Sequence, residues 1–480
     1  MRGLILLMLG VSIPAFSGEI KEISEEFIKN LAPMSTPQLQ KIELGFLNSK
    51  SQVEGLNDKY NYYFNSSASY GESSEEPLNQ FVPVTENAKS LSLGISKATR
   101  YGVRVSTTYN TQQFSNNFLS DATTNTLNLQ FEVDLLKDFL GSTSKMDFEA
   151  AQLNLEEAKL SKEIQKKQYI NSLRKQYWDL VATEEAHKIS ESLLKSAELQ
   201  LKEQTRKRKS GIGSAGDVAR FQSLVSSRRN SLTQIESDRT MMIQNFQHQL
   251  PQLADAGVVL EKYNLDKTVK DFFTCTAIIE QQKMAPKDFT LYDERIAIKD
   301  KYLAKKLEST SNYSRPDLSL TTELGIVGND LSFDAAQEEL TGENNAGTYT
   351  VGLNFSMPIG STNKNTQEVQ VKALKAQVES EKVELQTKLS SLHSGIIRNL
   401  AHLKSILATT AKNQEFVTTV LEDSKKKYKQ ARISSKDLID DEDAKLNNDL
   451  TLIQVQAQMI KIMLDYFSVF TETPCQLNKI

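Results

Sequence analysis

Cysteine, tryptophan and proline are scarce in this chain of 480 residues, which contains two, one and ten of them. Two cysteines exclude a disulfide-dense scaffold and a zinc site with four thiolates. If the chain is exported, Cys275 and Cys475 can pair, but the sequence does not show whether they lie close together. Apolar residues make up 39% of the chain and the mean hydropathy is −0.43, so long, uninterrupted elements are expected instead of a thick globular core.

Neither sign of charge is in excess, because 57 basic residues face 61 acidic ones. A nucleic-acid-binding protein needs surplus cations to neutralise phosphate, so no nucleic-acid partner is predicted. Beyond the N-terminus no run of 18 apolar residues occurs, which excludes a helical membrane protein. The histidines 187, 248, 393 and 402 lack metal-ligand spacing, and no nucleophile elbow, P-loop or zinc-protease helix is present. The sequence therefore predicts neither an enzyme nor a cofactor or metal site.

Residues 1–17 have the features of a signal peptide. Arg2 is followed by the apolar run 4–11, and Ala15 and Ser17 supply the small residues that a signal peptidase needs. The alternative is a single-pass anchor, for which the run is too short. Export of the mature chain is predicted.

The chain contains one structural unit twice. The first copy has a strand pattern of period two, a long helical pattern, a turn and a second helix, at residues 126–135, 144–207, 208–217 and up to Leu250. The second copy repeats this order at residues 349–357, 365–430, 428–437 and up to about residue 470. Gly211 aligns with Ala431 and Asp217 with Asp437, at an offset of 220 residues, which indicates a tandem duplication.

Each half also has an earlier strand preceded by a shorter helix. The helices are predicted at 36–57 and 289–311, and the strands at 60–70 and 318–326. The first half alone carries another pair of alternating runs, at 91–109. The sequence leaves open whether this pair adds strands to a sheet of four per chain or forms an external hairpin.

The helices and strands together favour a membrane channel. A helix of 64 residues is roughly 96 Å long, and helices around a water-filled tube need only narrow apolar seams; a solid antiparallel coiled coil is the alternative. Strand runs with an apolar face tipped by aromatic residues fit a tilted strand that crosses a bilayer. Four strands cannot close a transmembrane barrel, so the membrane interpretation predicts an oligomer.

The order of elements and the two turns resemble the TolC-type outer-membrane efflux protein family. Turns of this family read Tyr or Phe, two residues, Gly, and then Asp and a hydrophobic residue six positions after the Gly. The first turn keeps Gly211 and Asp217 but has Arg208 at the aromatic position. The second keeps Tyr428 and Asp437 and has Ala431 in place of the glycine.

The resemblance implies a membrane α+β fold, in which a trimeric outer-membrane β-barrel continues as a periplasmic α-helical barrel built from two tandem repeats per chain. The expected segments are the signal peptide 1–17, an N-terminal equatorial segment and short helix 18–56, the first barrel strands 57–141, the first helical hairpin 142–250, an equatorial segment and short helix 251–313, the second barrel strands 314–360, the second hairpin 361–470 and the tail 471–480. The implied partners are two further copies of the chain, a periplasmic adaptor, an inner-membrane pump and outer-membrane lipid.

The resemblance also implies a periplasmic gate. Asp437 and Asp440 match positions that form rings of aspartates, and Tyr428 and Asp217 match a pair that ties the two repeats together. Six carboxylates around a threefold constriction would select cations, and residues 441–443 add charge close by. The alternative is that Asp437 and Asp440 stabilise the N-terminus of their own helix.

The turns themselves are the expected docking points for an adaptor. The residues concerned are Gly211, Ile212, Gly213, Ser214, Ala431, Arg432, Ile433 and Ser434. The basic runs 206–209 and 425–427 flank them and are either solvated faces or part of that surface. Residues 211–216 also satisfy G-x-G-x-x-G, but a helical run precedes them, so a turn with positive φ explains the glycines better than nucleotide binding.

The function expected from the sequence is an outer-membrane exit duct, opened at its periplasmic tip when an adaptor docks, for efflux or for type I secretion of proteins. The alternative is an exported coiled-coil structural protein of the periplasm. The sequence does not identify the cargo, the pump or the adaptor.

Overall fold

The computed structural model describes residues 20–32, 35–75, 84–116, 118, 121–254, 257–281, 291–313, 315–343, 345–357 and 362–469. The predicted signal peptide, the tail 471–480 and the side chains of both cysteines lie outside the described part. The chain divides into two units. Unit 1 comprises Met1–Gly45, Leu160–Glu294 and Glu384–Ile480, and unit 2 comprises Phe46–Lys159 and Arg295–Val383.

The described residues form the following elements. The helices are α1 (Glu25–Lys29), α2 (Pro37–Asp58), α3 (Ser142–Lys209), α4 (Ala215–Gln249), α5 (Leu265–Gln281), α6 (Leu291–Tyr313), α7 (Phe333–Thr341), α8 (Thr362–Lys429) and α9 (Ser435–Val469). The strands are β1 (Ile20–Ile23), β2 (Tyr62–Glu72), β3 (Thr85–Ala98), β4 (Val103–Asn116), β5 (Ala122–Asp134), β6 (Gly257–Leu260), β7 (Asp317–Asp330) and β8 (Ala346–Ser356).

The four long helices repeat at a constant offset. α3 and α8 have 68 residues each, α4 and α9 have 35 each, and every boundary of the second pair lies 220 residues after its counterpart. α3 contains neither proline nor glycine, and α8 continues through its single glycine, Gly395, whose helix penalty is only about 1 kcal/mol. The predicted duplication of long helices is confirmed. Among the described residues, no helix combines the length and the apolar character needed to cross a bilayer.

Unit 2 contains an antiparallel sheet of six strands in the order β2-β3-β4-β5-β7-β8. The hairpin of β3 and β4 lies inside this sheet, between β2 and β5. This placement answers the question that the alternating runs at 91–109 left open, because those runs belong to two strands of 14 residues each. The sheet therefore has six strands, because this pair adds two strands to the other four.

The apolar positions of the six strands fall mainly on one face of the sheet. In cross-strand register, Phe64 lies opposite Ile95, Leu93 opposite Tyr109, and Leu127 opposite Ile326. This face carries Tyr62, Phe64, Tyr70, Leu91, Leu93, Ile95, Val103, Val105, Tyr109, Leu127, Leu129, Phe131, Val133, Leu318, Leu320, Leu324, Ile326, Tyr349, Val351, Leu353 and Phe355. The opposite face is rich in Ser, Thr, Asn and Gln, so the sheet has one apolar and one polar side.

The two edge strands of this sheet, β2 and β8, are exposed along almost their whole lengths. All 11 residues of β2 are exposed, and ten of the 11 in β8. Both strands carry large apolar side chains, including Phe64, Tyr349 and Phe355. Within the described residues, β2 pairs only with β3 and β8 only with β7, so each edge keeps one row of backbone groups without a strand partner.

Unit 1 contains the main apolar core. β1 and β6 pair in parallel, with Ile20 opposite Gly257. The largest buried side chains around this pair come from the ends of the hairpins and from α5, and Phe272 of α5 stacks on Phe467 of α9 with ring centroids 6.2 Å apart. This core holds the far ends of α4 and α9 together and leaves their N-termini, with the two turns, at a distance along the helices.

Candidate functional site

The two turns that join the long helices close in the same way. Gly211 has a φ of +78°, and its N–H donates to the carbonyl of Arg208 at 3.0 Å, while the N–H of Ile212 donates to the carbonyl of Lys207 at 3.0 Å. This pair of bonds is a Schellman motif, which satisfies the last carbonyls of α3. The expected positive φ at the first glycine is confirmed.

The second turn uses this motif without a glycine. The N–H of Ala431 donates to the carbonyl of Tyr428 at 3.0 Å, and that of Arg432 donates to the carbonyl of Lys427 at 2.9 Å. Ala431 takes a φ of +57°. A residue with a Cβ is strained in this left-handed region by roughly 1–2 kcal/mol. The repeat has therefore kept the turn geometry after losing the residue that best fits it.

Asp437 belongs to a reciprocal cap at the start of α9. Its backbone N–H donates to Ser434 Oγ at 3.2 Å, while its carboxylate accepts from the hydroxyl and the backbone N–H of Ser434 at 2.8 and 2.9 Å. This is a capping box with aspartate in place of the usual glutamate. The two bonds from Ser434 hold the pKa of Asp437 below its ordinary value. The carboxylate stays ionised well into acid, and the cap is lost only as the pH falls through this lowered pKa.

Asp217 makes a different contact, although it is the counterpart of Asp437 in the first repeat. Its Oδ1 accepts from Ser435 Oγ, the first residue of α9, at 2.5 Å. Arg220 Nη1 lies 3.9 Å from the same carboxylate oxygen and donates to Ser435 Oγ at 3.3 Å. Asp217, Arg220 and Ser435 therefore join the first turn of α4 to the first turn of α9.

Tyr428 lies on an apolar patch next to this contact. Its ring is tilted against that of Phe221, with centroids 6.2 Å apart, and it packs on a small buried cluster in which Ala197 and Leu224 take part. Burial raises the pKa of Tyr428 to about 12, with help from the negative charges of Asp217 and Glu203. Within the described part of the chain, Asp217 accepts from Ser435 and no hydrogen bond joins it to Tyr428.

Asp440 is exposed and lies one turn after Asp437 on α9, so the two carboxylates share a face of the helix. Among the described residues Asp440 has neither an ion-pair nor a hydrogen-bond partner, whereas Asp437 is held by Ser434. Ser434 binds Oδ2 of Asp437, so Asp440 is the one of these two carboxylates that neighbouring side chains leave unrestrained in the described structure.

The next three acidic residues each bind a different helix. Asp441 Oδ2 accepts from Ser424 Oγ of α8 at 2.5 Å, and Glu442 Oε1 accepts from Gln200 Nε2 of α3 at 2.7 Å. Asp443 pairs with Arg228 of α4, whose side chain is nearly buried. From residue charge alone these acidic residues were expected to add to the field of the gate. In the structure each of them also ties α9 to a neighbouring helix.

Glu442 is the most buried carboxylate of this region, with 3% of its surface exposed. Burial raises its pKa, although Gln200, Lys425 and Arg228 act in the opposite direction. Lys425 Nζ is 4.0 Å away, which is the outer limit of an ion pair. A carboxylate held in this way prefers its neutral form more than an exposed one does.

The basic runs beside the turns are mainly exposed. Within them, Lys207 pairs with Glu203 at 3.2 Å and Lys427 with Asp423 at 2.6 Å, one helical turn back in each case. Arg206, Arg208 and Lys209 are exposed as well. Each turn therefore presents a positive rim behind its tip, as expected for the C-terminal end of a helix.

Solved structures of other proteins share this architecture. The chain is similar to the outer membrane protein VceC of Vibrio cholerae, with 14% identity, a TM-score of 0.63 and coverage of 92% of this chain and 95% of that one. It is also similar to the CmeC outer membrane channel of Campylobacter jejuni, with 13% identity, a TM-score of 0.62 and coverage of 95% and 90%. The open state of the MtrE outer membrane channel of Neisseria gonorrhoeae has 13% identity, a TM-score of 0.63 and coverage of 92% and 88%.

The chain has the fold of the TolC-type outer-membrane channels. No family model and no curated protein matches its sequence. The likeness therefore lies in the backbone fold.

Within this TolC-type fold, the structure brings three of the four expected gate residues close to one another. Asp217, Tyr428 and the cap of Asp437 all lie at the two turns, and Ser435 is the residue that connects the repeats. Ser435 and Arg220 were not predicted. The only sequence signal for Ser435 is its alignment with Ala215, where the second repeat gains a hydroxyl at the first position of its helix.

Residues 211–216, which match the dinucleotide pattern, lie between two helices of the TolC-type fold and not between a strand and a helix. Among the described residues, no group of three His, Cys, Asp or Glu side chains is arranged to hold a metal ion. The chemistry that remains at the turns is charge, hydrogen bonding and an apolar patch.

Proposed function

We propose that this chain is one protomer of a trimeric outer-membrane channel, through which substrates of an inner-membrane pump leave the cell. The observation that carries the proposal is the pair of exposed apolar edge strands, β2 and β8. Long exposed edges of this type pair with another chain unless they are covered. Pairing β2 of one copy with β8 of the next satisfies both edges at once.

Closure into a barrel follows from the same pairing. In lipid every backbone polar group needs a partner, so an open sheet is not stable there. Six strands from each of three copies would make eighteen, an even number as in bacterial outer-membrane barrels. The apolar face would contact lipid, and the Ser-, Thr- and Asn-rich face would line the water-filled lumen.

The long hairpins would form the periplasmic part of the channel. Three similar structures are described as an outer membrane protein or outer membrane channels, which supports this arrangement. The turns at Gly211–Ser214 and Ala431–Ser434 would receive a periplasmic adaptor, with the exposed basic runs behind them as part of the docking surface. Contact between this surface and acidic groups would weaken with salt.

We assign the gate to the same turns. Asp440 would supply the free carboxylates of the constriction, one from each copy, while Asp437 would mainly cap α9. The contact of Asp217 and Arg220 with Ser435, and the ties of Glu442 to α3 and of Asp443 to α4, would hold the second hairpin against the first in the closed state. Opening would require these contacts to break.

Cross-linking of the edges tests the proposal. The two native cysteines are first removed by Cys275→Ser and Cys475→Ser. Each variant then receives one cysteine on β2 and one on β8, and outer-membrane fractions are analysed without reductant. Some β2–β8 pairs are expected to give disulfide-linked trimers, whereas matched pairs between β2 and β4 are not, because β3 separates these strands. A soluble periplasmic monomer that forms none of the cross-links would contradict the proposal.

A further inference from the structure

The connection between β7 and β8 contains a feature that the channel proposal does not use. This connection spans residues 331–345 and includes α7, whereas the connection between β2 and β5 in the first repeat spans residues 73–121 and includes β3 and β4. α7 therefore takes the place that a β-hairpin has in the other repeat. It lies at the end of the sheet opposite the long helices, because α3 and α8 leave from the other ends of β5 and β8.

α7 is a folded helix that rests on the sheet. Ser332 caps it, accepting from the N–H of Ala335 at 3.3 Å. Two of its own side chains, Ala336 and Leu340, are buried. A Cβ added to Gly328 of β7 would lie 2.2 Å from the carbonyl oxygen of Ala336, so the helix backbone sits directly on this strand.

Hydrogen bonds show which side of the sheet α7 covers. Gln337 Oε1 accepts from Tyr109 Oη at 2.8 Å and from Asn125 Nδ2 at 3.2 Å. Tyr109 lies opposite Leu127, and Asn125 lies opposite Gly328, in the register of the apolar face. α7 therefore covers one end of the apolar face, the face that the proposed channel turns toward lipid.

The length of the uncovered apolar band agrees with a bilayer boundary at α7. On β7 the band runs from Leu318 to Ile326, which is about 26 Å along the strand. A tilt of about 40° reduces its height to roughly 20 Å, slightly less than the ~25 Å band of an outer-membrane barrel. The next position of this strand on the same apolar face, Gly328, is already beneath the helix, so α7 falls within the last few ångströms of the hydrocarbon layer.

Two large apolar side chains at the start of α7, Leu331 and Phe333, remain largely exposed. Phe333 shares the helix stripe of Ala336 and Leu340, at positions i, i+3 and i+7, yet 50% of its surface is exposed. Leu331, just before the cap, is 63% exposed. Asp334 and Glu338, on other faces of the helix, are exposed as well. One apolar edge and one charged edge are what a helix in the plane of a membrane surface requires.

We propose that α7 is an interfacial helix that marks the outer border of the lipid-facing band, with Leu331 and Phe333 inserted into the lipid. The partner is the acyl region just below the headgroups of the outer leaflet. The inference rests on the proposed channel function, because it requires the apolar face of the sheet to contact lipid. The carboxylates of Asp334 and Glu338 on α7 would stay among the headgroups and in water.

Single-tryptophan fluorescence tests the placement of α7. Trp178 is the only tryptophan, so the full-length Trp178→Phe chain provides the background for three variants. Phe333→Trp reports on α7, Val351→Trp on the middle of the apolar face, and Thr350→Trp on the polar face of the same strand. Each trimer is reconstituted into phosphatidylcholine vesicles whose acyl chains are brominated either near the headgroup or near the bilayer centre.

We expect the Phe333→Trp signal to be quenched more strongly by shallow bromine, the Val351→Trp signal more strongly by deep bromine, and the Thr350→Trp signal only weakly by either. If Phe333→Trp behaves like Thr350→Trp while Val351→Trp is quenched, α7 does not contact lipid and the channel proposal stands. If Val351→Trp is not quenched either, the apolar face is not in lipid and the channel proposal fails as well. Leu331→Trp provides a second reporter on α7 with the same expected result.

Discussion

Gly211 and Ala431 hold the same left-handed backbone conformation at the ends of α3 and α8, with φ angles of +78° and +57°. Only the glycine does so without steric cost, because the Cβ of an L-residue approaches the following carbonyl oxygen in this region. The repeat thus contains a matched pair of turns in which one is relaxed and the other strained.

Ala431→Gly is therefore expected to stabilise the protein. Relief of strain is worth roughly 1–2 kcal/mol, and the greater freedom of glycine in the unfolded chain takes back roughly 0.4–1 kcal/mol, so a gain of about 0.5–1 kcal/mol per chain remains. The midpoint of thermal unfolding, followed by circular dichroism, should rise.

Two other glycine positions control for this effect. Gly211→Ala introduces the same strain into the first turn and should lower the midpoint. Gly395→Ala, in the middle of α8 with no atom within 4 Å of the added Cβ, should raise it through helix propensity alone. If Ala431→Gly lowered the midpoint, the left-handed conformation at this turn would be wrong.

The relationship between Asp437 and Asp440 gives a prediction for the gate. Because Ser434 holds the carboxylate of Asp437 and none of the described residues holds that of Asp440, Asp440→Asn should reduce cation selectivity and block by multivalent cations more than Asp437→Asn does. Planar-bilayer conductance in asymmetric salt measures the selectivity, and addition of a trivalent cation from the periplasmic side measures the block.

The double variant separates the gate from the capping role. If Asp437→Asn alone abolished selectivity while Asp440→Asn had no effect, the assignment would be reversed. If neither single change nor their combination altered conductance, the aspartates would serve only the N-terminus of α9.

The sequence was sufficient for the elements that depend on local pattern. The absence of proline and glycine from residues 144–207 predicted α3 to within two residues at each end, and period-two alternation located β5, β7 and β8. α7 was missed, although Phe333, Ala336 and Leu340 have helical spacing, because nine residues give too short a pattern. The tie between Arg228 and Asp443 spans 215 residues, and no local pattern encodes such a contact.

This tie between Arg228 and Asp443 should stabilise the association of the two hairpins. The side chain of Arg228 is 9% exposed and that of Asp443 is 45% exposed. Removal of one partner from a fully buried ion pair lowers the free energy of unfolding by roughly 3–5 kcal/mol. Because Asp443 is partly exposed, removal of Arg228 should lower it by about 1–3 kcal/mol. Arg228→Ala should lower the unfolding midpoint and, if the closed state depends on this tie, raise the conductance of the channel.

The adjacent arginine is the matched control. Arg229 pairs with Glu198 at 2.9 Å, but both side chains are about half exposed or more, so Arg229→Ala should cost about 0.5 kcal/mol or less. A double-mutant cycle of Arg228→Ala with Asp443→Ala isolates the pairwise energy. Equal effects of Arg228→Ala and Arg229→Ala on midpoint and conductance would show that the tie has no special role.

The buried Glu442 predicts a pH dependence of the opposite sign to that of an ordinary ion pair. Burial raises its pKa in the folded protein above 4.5, the ordinary value of a glutamate. The folded state therefore binds the proton more tightly than the unfolded state, so this residue makes the protein less stable as pH rises from about 4.5 through the raised pKa. Above that value the full penalty of a buried carboxylate remains.

Glu442→Gln should remove this penalty and keep the contact with α3. Gln200 donates to Glu442 through Nε2 at 2.7 Å, and its own Oε1 is buried without a hydrogen-bond partner in the described structure. The new amide can accept from Nε2 and also donate to this Oε1. One additional buried hydrogen bond, together with the loss of the charge, should stabilise the protein by roughly 1 kcal/mol at neutral pH.

The pH profile distinguishes this explanation from a general packing effect. The advantage of Glu442→Gln in unfolding midpoint should shrink as the pH falls through the raised pKa of Glu442, because the carboxyl of the parent protein is then increasingly neutral. The same substitution in a Gln200→Ala background should lose the part of the gain that comes from the paired amides. A gain that stayed constant over the whole pH range would show that the charge of Glu442 is not what destabilises this contact, whereas a loss of stability at neutral pH would show that Lys425 and Arg228 stabilise the carboxylate more than burial penalises it.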